Sequence, residues 1–307
     1  GYIYSEINFY EYFINFYYIK GVNMKNLRKF VLKSICLITC LFIVVGVYST
    51  FIEPKLLIIK KFTVESNISI KTDKRENLRI AHITDTHLGE FFSLEQLQKV
   101  VNKINENNVD IVLFTGDLMD NASKYNHIGE ISKVLSKIQA NKGKYAVYGN
   151  RDYGGGAVRY YKSIMKKSGF NVLVNESKTI NIGSGKKISL LGIDDILMGN
   201  PDAQKLMKNI NKNNYNILLM HEPDYINNLL DCDIDLTLTG HSHGGQVYIP
   251  FYGGVGKTLY AKKYERGMYD LKNIRQGKLY VNTGIGNTKI PMRFCNIPNI
   301  SIFNIKI

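Results

Sequence analysis

The feature that most restricts how this chain can fold is a recurring one: a short apolar run stops, and a polar cluster follows at once. Such runs cover Leu78 to Thr84, Ile111 to Thr115, Lys144 to Tyr148, Ile188 to Ile193, Ile217 to Met220 and Ile234 to Thr239. Their length and apolar content mark them as strands. Helical segments lie between several of them, most clearly over Ser93 to Asn107, where Ser93 and Gln96 have the spacing of a capping box. Alternating strands and helices predict an α/β sandwich, and the later strands, close enough for hairpins, predict mixed sheets.

The clusters carry the chemistry. Asp85-Thr86-His87 follows the first run, Gly116-Asp117 the second and Gly149-Asn150-Arg151-Asp152 the third; His221-Glu222 follows a later one and Gly240-His241-Ser242-His243-Gly244-Gly245 the last. Residues i and i+2 of an extended segment project to one side, so His241 and His243, read alone, are two nitrogen ligands aimed into one volume. Taken singly each cluster is weak, because an Asp at a strand end is usually a cap and Gly-Asp or Gly-Asn usually a turn. Taken together they gather at one sheet edge, where α/β folds place functional groups. Divalent Mn, Fe and Zn accept mixed imidazole and carboxylate shells, whereas Mg prefers oxygen alone. Asp85, His87, Asp117, Asn150, His221, His241 and His243 make seven candidate ligands. A structural zinc needs only about four. Two ions about 3.5 to 4 Å apart, sharing one carboxylate, would use them all and could hold a hydroxide between them.

The ordered series Asp85-x-His87, Gly116-Asp117, Gly149-Asn150, His221 and Gly240-His241-x-His243 resembles the signature of the calcineurin-like metallophosphoesterases. The resemblance runs from about Leu78 to Gly245. It implies a four-layer α/β/β/α sandwich of two mixed sheets. It also implies one metal on Asp85, His87, Asp117 and His243 and a second on Asp117, Asn150, His221 and His241, with Asp117 as the bridge. The two histidines that first looked like a pair on one ion would then serve different ions. Many members of the family carry His after the Asn of the third block, where this chain has Arg151. Arg cannot donate a proton near neutral pH, but its planar fork can hold phosphate oxygens. The Gly-Asn-Arg-Asp block is similar to that of the UDP-2,3-diacylglucosamine diphosphatases, and the features around it look like membrane-anchored relatives of that group. Asp152 reads as a turn or cap residue, and Gly154-Gly155-Gly156 as a flexible loop beside the pocket.

Ser34 to Ile52 carries no charged residue, close to the ~20 residues that span a bilayer core. It predicts one N-terminal transmembrane helix or uncleaved signal anchor. Basic residues from Lys20 to Lys33 outnumber those at Lys55, Lys60 and Lys61, which by the positive-inside rule places the following domain outside the cytoplasm at the cell membrane. The expected organisation is a leader over 1–23 with Met24 as the natural start, a basic flank and anchor over 24–52, a linker with an early strand over 53–76, and the phosphoesterase domain over 77–307. The net charge of +14 favours a phosphate-bearing or anionic partner, yet the lysines are scattered and no basic-aromatic interleaving supports nucleic acid. The four cysteines have no CxxC spacing and predict neither a zinc knuckle nor a disulfide framework.

The expected function is hydrolysis of a phosphodiester or pyrophosphate, lipid-linked or nucleotide-linked, with two divalent metal ions (Mn, Fe or Zn), attack by a metal-bridging hydroxide, and Asp117, Asn150 and Arg151 at the reacting centre. The rivals are a phosphomonoesterase or protein phosphatase, a nuclease, and a non-catalytic membrane-tethered binding protein on the same scaffold.

Overall fold

The computed structural model describes residues 24–66, 76–208 and 210–307. The leader expected over 1–23 lies outside them. The chain divides after Tyr48. Before that point stands one helix, α1 (Met24–Val47), whose 24 residues make it about 36 Å long at ~1.5 Å per residue. None of its residues is buried. It is long and apolar enough to cross a bilayer, a property that a signal sequence shares.

The second unit, residues 49–307, contains the strands. In chain order they are β1 (Ile58–Glu65), β2 (Asn77–Ile83), β3 (Ile111–Phe114), β4 (Lys144–Ala146), β5 (Phe170–Val172), β6 (Glu176–Gly183) and β7 (Lys186–Gly192). Then come β8 (Tyr215–Leu219), β9 (Leu236–Thr239), β10 (Tyr248–Ile249), β11 (Gly253–Gly254), β12 (Gly267–Asp270), β13 (Lys278–Val281) and β14 (Asn299–Lys306). One mixed sheet has the order β1-β14-β2-β3-β4-β5 and the other β12-β13-β9-β8-β7-β6. Strands β2 to β5 run parallel to one another, as do β7, β8, β9 and β13. Parallel strands carry their loops to a common end, so the clusters after β2, β3 and β4 meet those after β8 and β9.

The expected four-layer sandwich is present, and its strand sequences show why. Strand β3 is apolar at every position, and its neighbours largely so, because both faces of the sheet are covered. Leu78, Ile80, Ile111 and Leu113 face Ile188, Leu190, Ile217 and Leu236 between the two sheets. The alternate residues Ala81, Ile83, Val112 and Phe114 pack outward on Leu97, Val101 and Ile104 of α2 (Leu94–Glu106). That helix begins with the anticipated capping box: the Ser93 side chain accepts from the Gln96 N–H, and Gln96 accepts from the Ser93 N–H. A third apolar layer, with Leu191, Leu218 and Leu279, covers the far side of the second sheet.

The early strand expected within a linker is β1, and it belongs to the sandwich. Its eight residues pair in parallel with β14, and Val64 and Phe62 pack into the core between the sheets. The alternating pattern from Leu56 to Val64 is that of an edge strand, here hydrogen-bonded along its length to β14. Residues 67–75 of that stretch lie outside the described residues.

His82 on β2 is fully buried and its Nε2 meets Thr115 Oγ1 at 2.8 Å. Burial disfavours the charged ring and pushes its pKa from 6.5 down to about 3, against a partial opposing pull from Asp85. Below pH 6.5 the unfolded chain takes up a proton that the folded chain refuses, so stability present above that pH falls as pH drops towards 3. The slope contributed is at most about 1.4 kcal/mol per pH unit. His82→Gln should flatten this part of the stability profile, measured by chemical denaturation in detergent; an unchanged slope would show that the ring contributes none of it.

Candidate metal centre

The loops after β2 and β3 continue side by side beyond the sheet. Asp85 N–H donates to Gly116 O, His87 N–H to Asp117 O and Leu88 N–H to Leu118 O. Gly116 is required at this crossing: its φ is 94°, and a Cβ there would lie 2.4 Å from the Gly149 nitrogen. The third loop is tied to the second by Asp152. Its carboxylate accepts from the N–H groups of Gly149, Asp117 and Leu118 at 2.8 to 2.9 Å. Asp152 thus does cap the short helix Asn150–Tyr153, as its position three residues after Gly149 indicates, and it also fixes the backbone of Asp117.

Five of the seven expected ligands sit in left-handed backbone: Asp85 (φ 51°), His87 (45°), Asp117 (59°), His241 (66°) and His243 (49°). Each costs on the order of 1–3 kcal/mol and persists only where the surroundings enforce it. The left-handed backbone re-aims each side chain inward from the end of a strand.

Each buried carboxylate uses one oxygen for positioning. Asp85 Oδ2 accepts from Thr84 Oγ1 (2.7 Å) and from the His241 N–H (3.0 Å), while Oδ1 has no hydrogen bond. Asp117 Oδ1 accepts from the Arg151 N–H at 2.7 Å, while Oδ2 lies 3.4 Å from His87 Nε2 and 3.3 Å from His221 Nε2. The imidazoles are arranged likewise. His221 Nδ1 donates to Thr115 O (2.6 Å) and His241 Nε2 to Leu259 O (2.8 Å), so the nitrogen of each ring available to a metal is the other one, Nε2 of His221 and Nδ1 of His241. His87 Nε2 and His243 Nε2 approach to 2.9 Å. The four rings form two pairs, His87 with His243 and His221 with His241, with centroids 4.8 and 5.0 Å apart.

These residues fit metal ions. Ligand atoms of Asp85, His87 and His243 converge within 4.8 Å, as do those of Asp85, Asp117 and His221, and those of His221, Glu222 and His241. Asp85 Oδ1, Asn150 Oδ1 and His221 Nε2 are buried polar atoms with no hydrogen-bond partner that gather at this one site, where a cation would satisfy them together. Electrostatics agree. Burial opposes ionisation of Asp85 and Asp117, but the charges of His243 and His221 on the first and of His221 and His87 on the second outweigh it and hold both carboxyls below the usual range. In the bare site the compensating protons fall on His221, raised well above its ordinary value, and on His87, raised to about 9 by Asp120, Asp85 and Asp117 against burial. A bound cation would supply that positive charge instead. His243 and His241 are shifted down by burial, His241 to about 4.

All eight residues anticipated from sequence meet here. His87, Asp117, Asn150, Arg151, His241 and His243 line a cleft of about 490 Å³, with Asp85 and His221 just beneath. A larger depression of about 740 Å³ lies elsewhere, lined by Glu65, Tyr215 and Arg275, and holds none of them.

Sequence reading missed several supporting residues. Asp120 Oδ1 lies 3.4 Å from His87 Nδ1 and accepts from Thr288 Oγ1 at 2.8 Å. Arg293, fully buried, holds Asn287, Thr283 and Asn296 and brings a guanidinium nitrogen to 3.5 Å from His243 Nδ1. Asn296 Nδ2 donates to His243 O, and Asn296 N–H in turn donates to Glu53. No local pattern marks Arg293 or Asn296, because the histidine they support is remote from them in the chain.

The fold and this ligand set define a metal-dependent phosphoesterase. The family model for calcineurin-like phosphoesterases matches residues 78–245, and the chain belongs to that family. It is 37% identical over 259 residues to the uncharacterized metallophosphoesterase YkuE of Bacillus subtilis (strain 168), covering 84% of this chain and 89% of the relative. It is 26% identical over 310 residues to the UDP-2,3-diacylglucosamine pyrophosphatase LpxG of Chlamydia trachomatis, covering 83% of this chain and 91% of the relative. A solved structure, TT1561 of Thermus thermophilus, superposes with a TM-score of 0.43 at 12% identity over 68% of this chain and 90% of its own.

If the two imidazole pairs serve different ions, the ions should be separable by mutation. His243→Ala should lower metal content by about one equivalent and His241→Ala by one of the other, read by elemental analysis of the purified protein. Loss of both ions in each variant would contradict the division.

Proposed function

We propose that the chain hydrolyses a phosphodiester or pyrophosphate in this cleft, and that the observation carrying this reading is Arg151 among the ligands where many relatives have His. Asp85, His87, Asp117 and His243 would hold one divalent ion and Asp117, Asn150, His221 and His241 the other, with Asp117 shared. Mixed nitrogen and oxygen donors suit Mn, Fe or Zn. When bound, such ions polarise phosphoryl oxygens and acidify water.

What the chain itself contributes follows from its hydrogen bonds. The Arg151 N–H fixes Asp117 Oδ1, and the side chain lines the cleft, where its fork can hold two phosphoryl oxygens. It has no proton to give at neutral pH. The ring protons of His221 and His241 are committed to Thr115 O and Leu259 O. His82 is buried against Thr115, and His127 pairs with Glu130 at the surface. No histidine remains to protonate a leaving group, so the substrate should carry a good one, as a diester or an anhydride does. Lys289 on the cleft wall adds positive charge for an anionic substrate, while Lys257 there is paired with Glu265. The pyrophosphatase named among the relatives is consistent with an anhydride substrate. We read α1 as a single membrane anchor and place the domain on the extracytoplasmic side, from the excess of basic residues that precede it.

With Mn²⁺, bis-p-nitrophenyl phosphate should be cleaved faster than the mono ester; the reverse preference would favour a phosphomonoesterase. Arg151→Ala should lower kcat/KM on the diester by roughly 10²–10³-fold. Arg151→His should shift the ratio towards the mono ester. Asp117→Ala should abolish hydrolysis, and full activity in that variant would rule out the shared carboxylate.

A further inference from the structure

The mouth of the cleft carries an apolar rim for which hydrolysis has no use. Strands β10 and β11 form a two-stranded hairpin whose turn presents Phe251 and Tyr252. Phe251 is fully exposed and sits at φ 69°, and Tyr252 is 73% exposed beside it. Ile249, Leu259 and Ile290 extend this surface, and the last two also line the cleft. A bulky aromatic in left-handed backbone at a loop tip, with further apolar groups around it, is unfavourable in water and marks a contact surface.

Two observations favour a bilayer as the partner. First, the exposed cation Lys289 stands on the same wall as Leu259 and Ile290, beside Lys257, which pairs with Glu265 at 2.9 Å; an apolar tip with a basic flank is the combination that anionic lipid attracts. Second, the chain enters the domain next to the hairpin. Ser49, two residues after the end of α1, accepts the Arg293 N–H at 2.8 Å, and the neighbouring Phe294 O accepts the Tyr248 N–H of β10 at 2.9 Å. The exposed Phe51 belongs to the same entry segment. Within the second unit, the first residues of the domain thus lie beside the loop that carries the hairpin.

We propose that the β10–β11 hairpin tip, with Leu259 and Ile290, seats the mouth of the cleft on an anionic bilayer, so that the substrate is a phosphate ester or anhydride of a membrane lipid. Its phosphate enters the cleft while its acyl chains stay in the bilayer. The lipid class rests on the hydrolytic reading above; the seating surface does not.

The chain contains no tryptophan, so one introduced residue is a unique reporter. Phe251→Trp in the full-length protein, reconstituted into phosphatidylcholine and phosphatidylglycerol vesicles, should emit to the blue and lose emission when the phosphatidylcholine is brominated. Ile274→Trp, on the β12–β13 turn at the opposite end of the strands, should show neither effect. Absence of quenching at position 251, or equal quenching at both positions, overturns the proposal. A reporter at 251 shielded from aqueous iodide yet unquenched by brominated lipid would mean that a second copy covers the patch, which overturns it too. Hydrolysis of bis-p-nitrophenyl phosphate by the same preparations separates the two readings: quenching without hydrolysis removes the enzymatic one and leaves the seating surface, and hydrolysis without quenching does the opposite.

Discussion

At one edge of the sandwich two buried carboxylates, Asp85 and Asp117, each spend one oxygen on the backbone and keep the other for the centre of the site. The backbone bonds cross between structural units that are remote in sequence. Asp85 Oδ2 takes the N–H of His241 from the second sheet, and Asp117 Oδ1 takes the N–H of Arg151 from the next loop. His221 closes the same seam in the other direction by donating to Thr115 O of the first sheet. The bonds that hold the two sheets together at this end are therefore the ones that aim the candidate ligands. This explains why Gly149 and Gly240 cannot carry side chains: a Cβ would fall 2.4 Å from Asp117 Oδ1 in the first case and 2.2 Å from Asp85 Oδ2 in the second.

Such a seam is costly without a cation. Two ionised carboxylates and several unpartnered polar atoms are largely buried at the floor of the cleft, and burial of unpaired charge is among the largest penalties a fold can carry. The bare protein meets part of that cost by protonating His87 and His221 and by the proximity of Arg293 to Asp85 and His243. The strained backbone at Asp85, His87, Asp117, His241 and His243 adds to it. Stability given up at this edge is consistent with a site built for divalent ions and is supported by three apolar layers elsewhere in the domain.

Much of the fold was legible locally. Runs such as Ile111 to Phe114 are apolar at each position because both faces are covered, and Ser93 with Gln96 announced the start of α2. The candidate ligands are legible for a related reason: each follows its strand closely, so order along the chain survives as order around the site. Asp152 was read correctly as a cap, yet its hold on the Asp117 backbone was invisible, since that contact spans 35 residues. Strand β1 is less legible, because an edge strand gives a weaker apolar signal than the central strands.

The sequence by itself determined the identity and order of the metal-capable residues, the alternation of strands and helices, and the departure at Arg151, because these depend on residue type and short spacing. Only the tertiary structure decided which carboxylate oxygen faces the site, which nitrogen of His221 and His241 is held, and that Asp120 and Arg293 stand behind His87 and His243. Those choices are made by hydrogen bonds between segments far apart in the chain, and the geometry of such bonds exists only once the two sheets have packed.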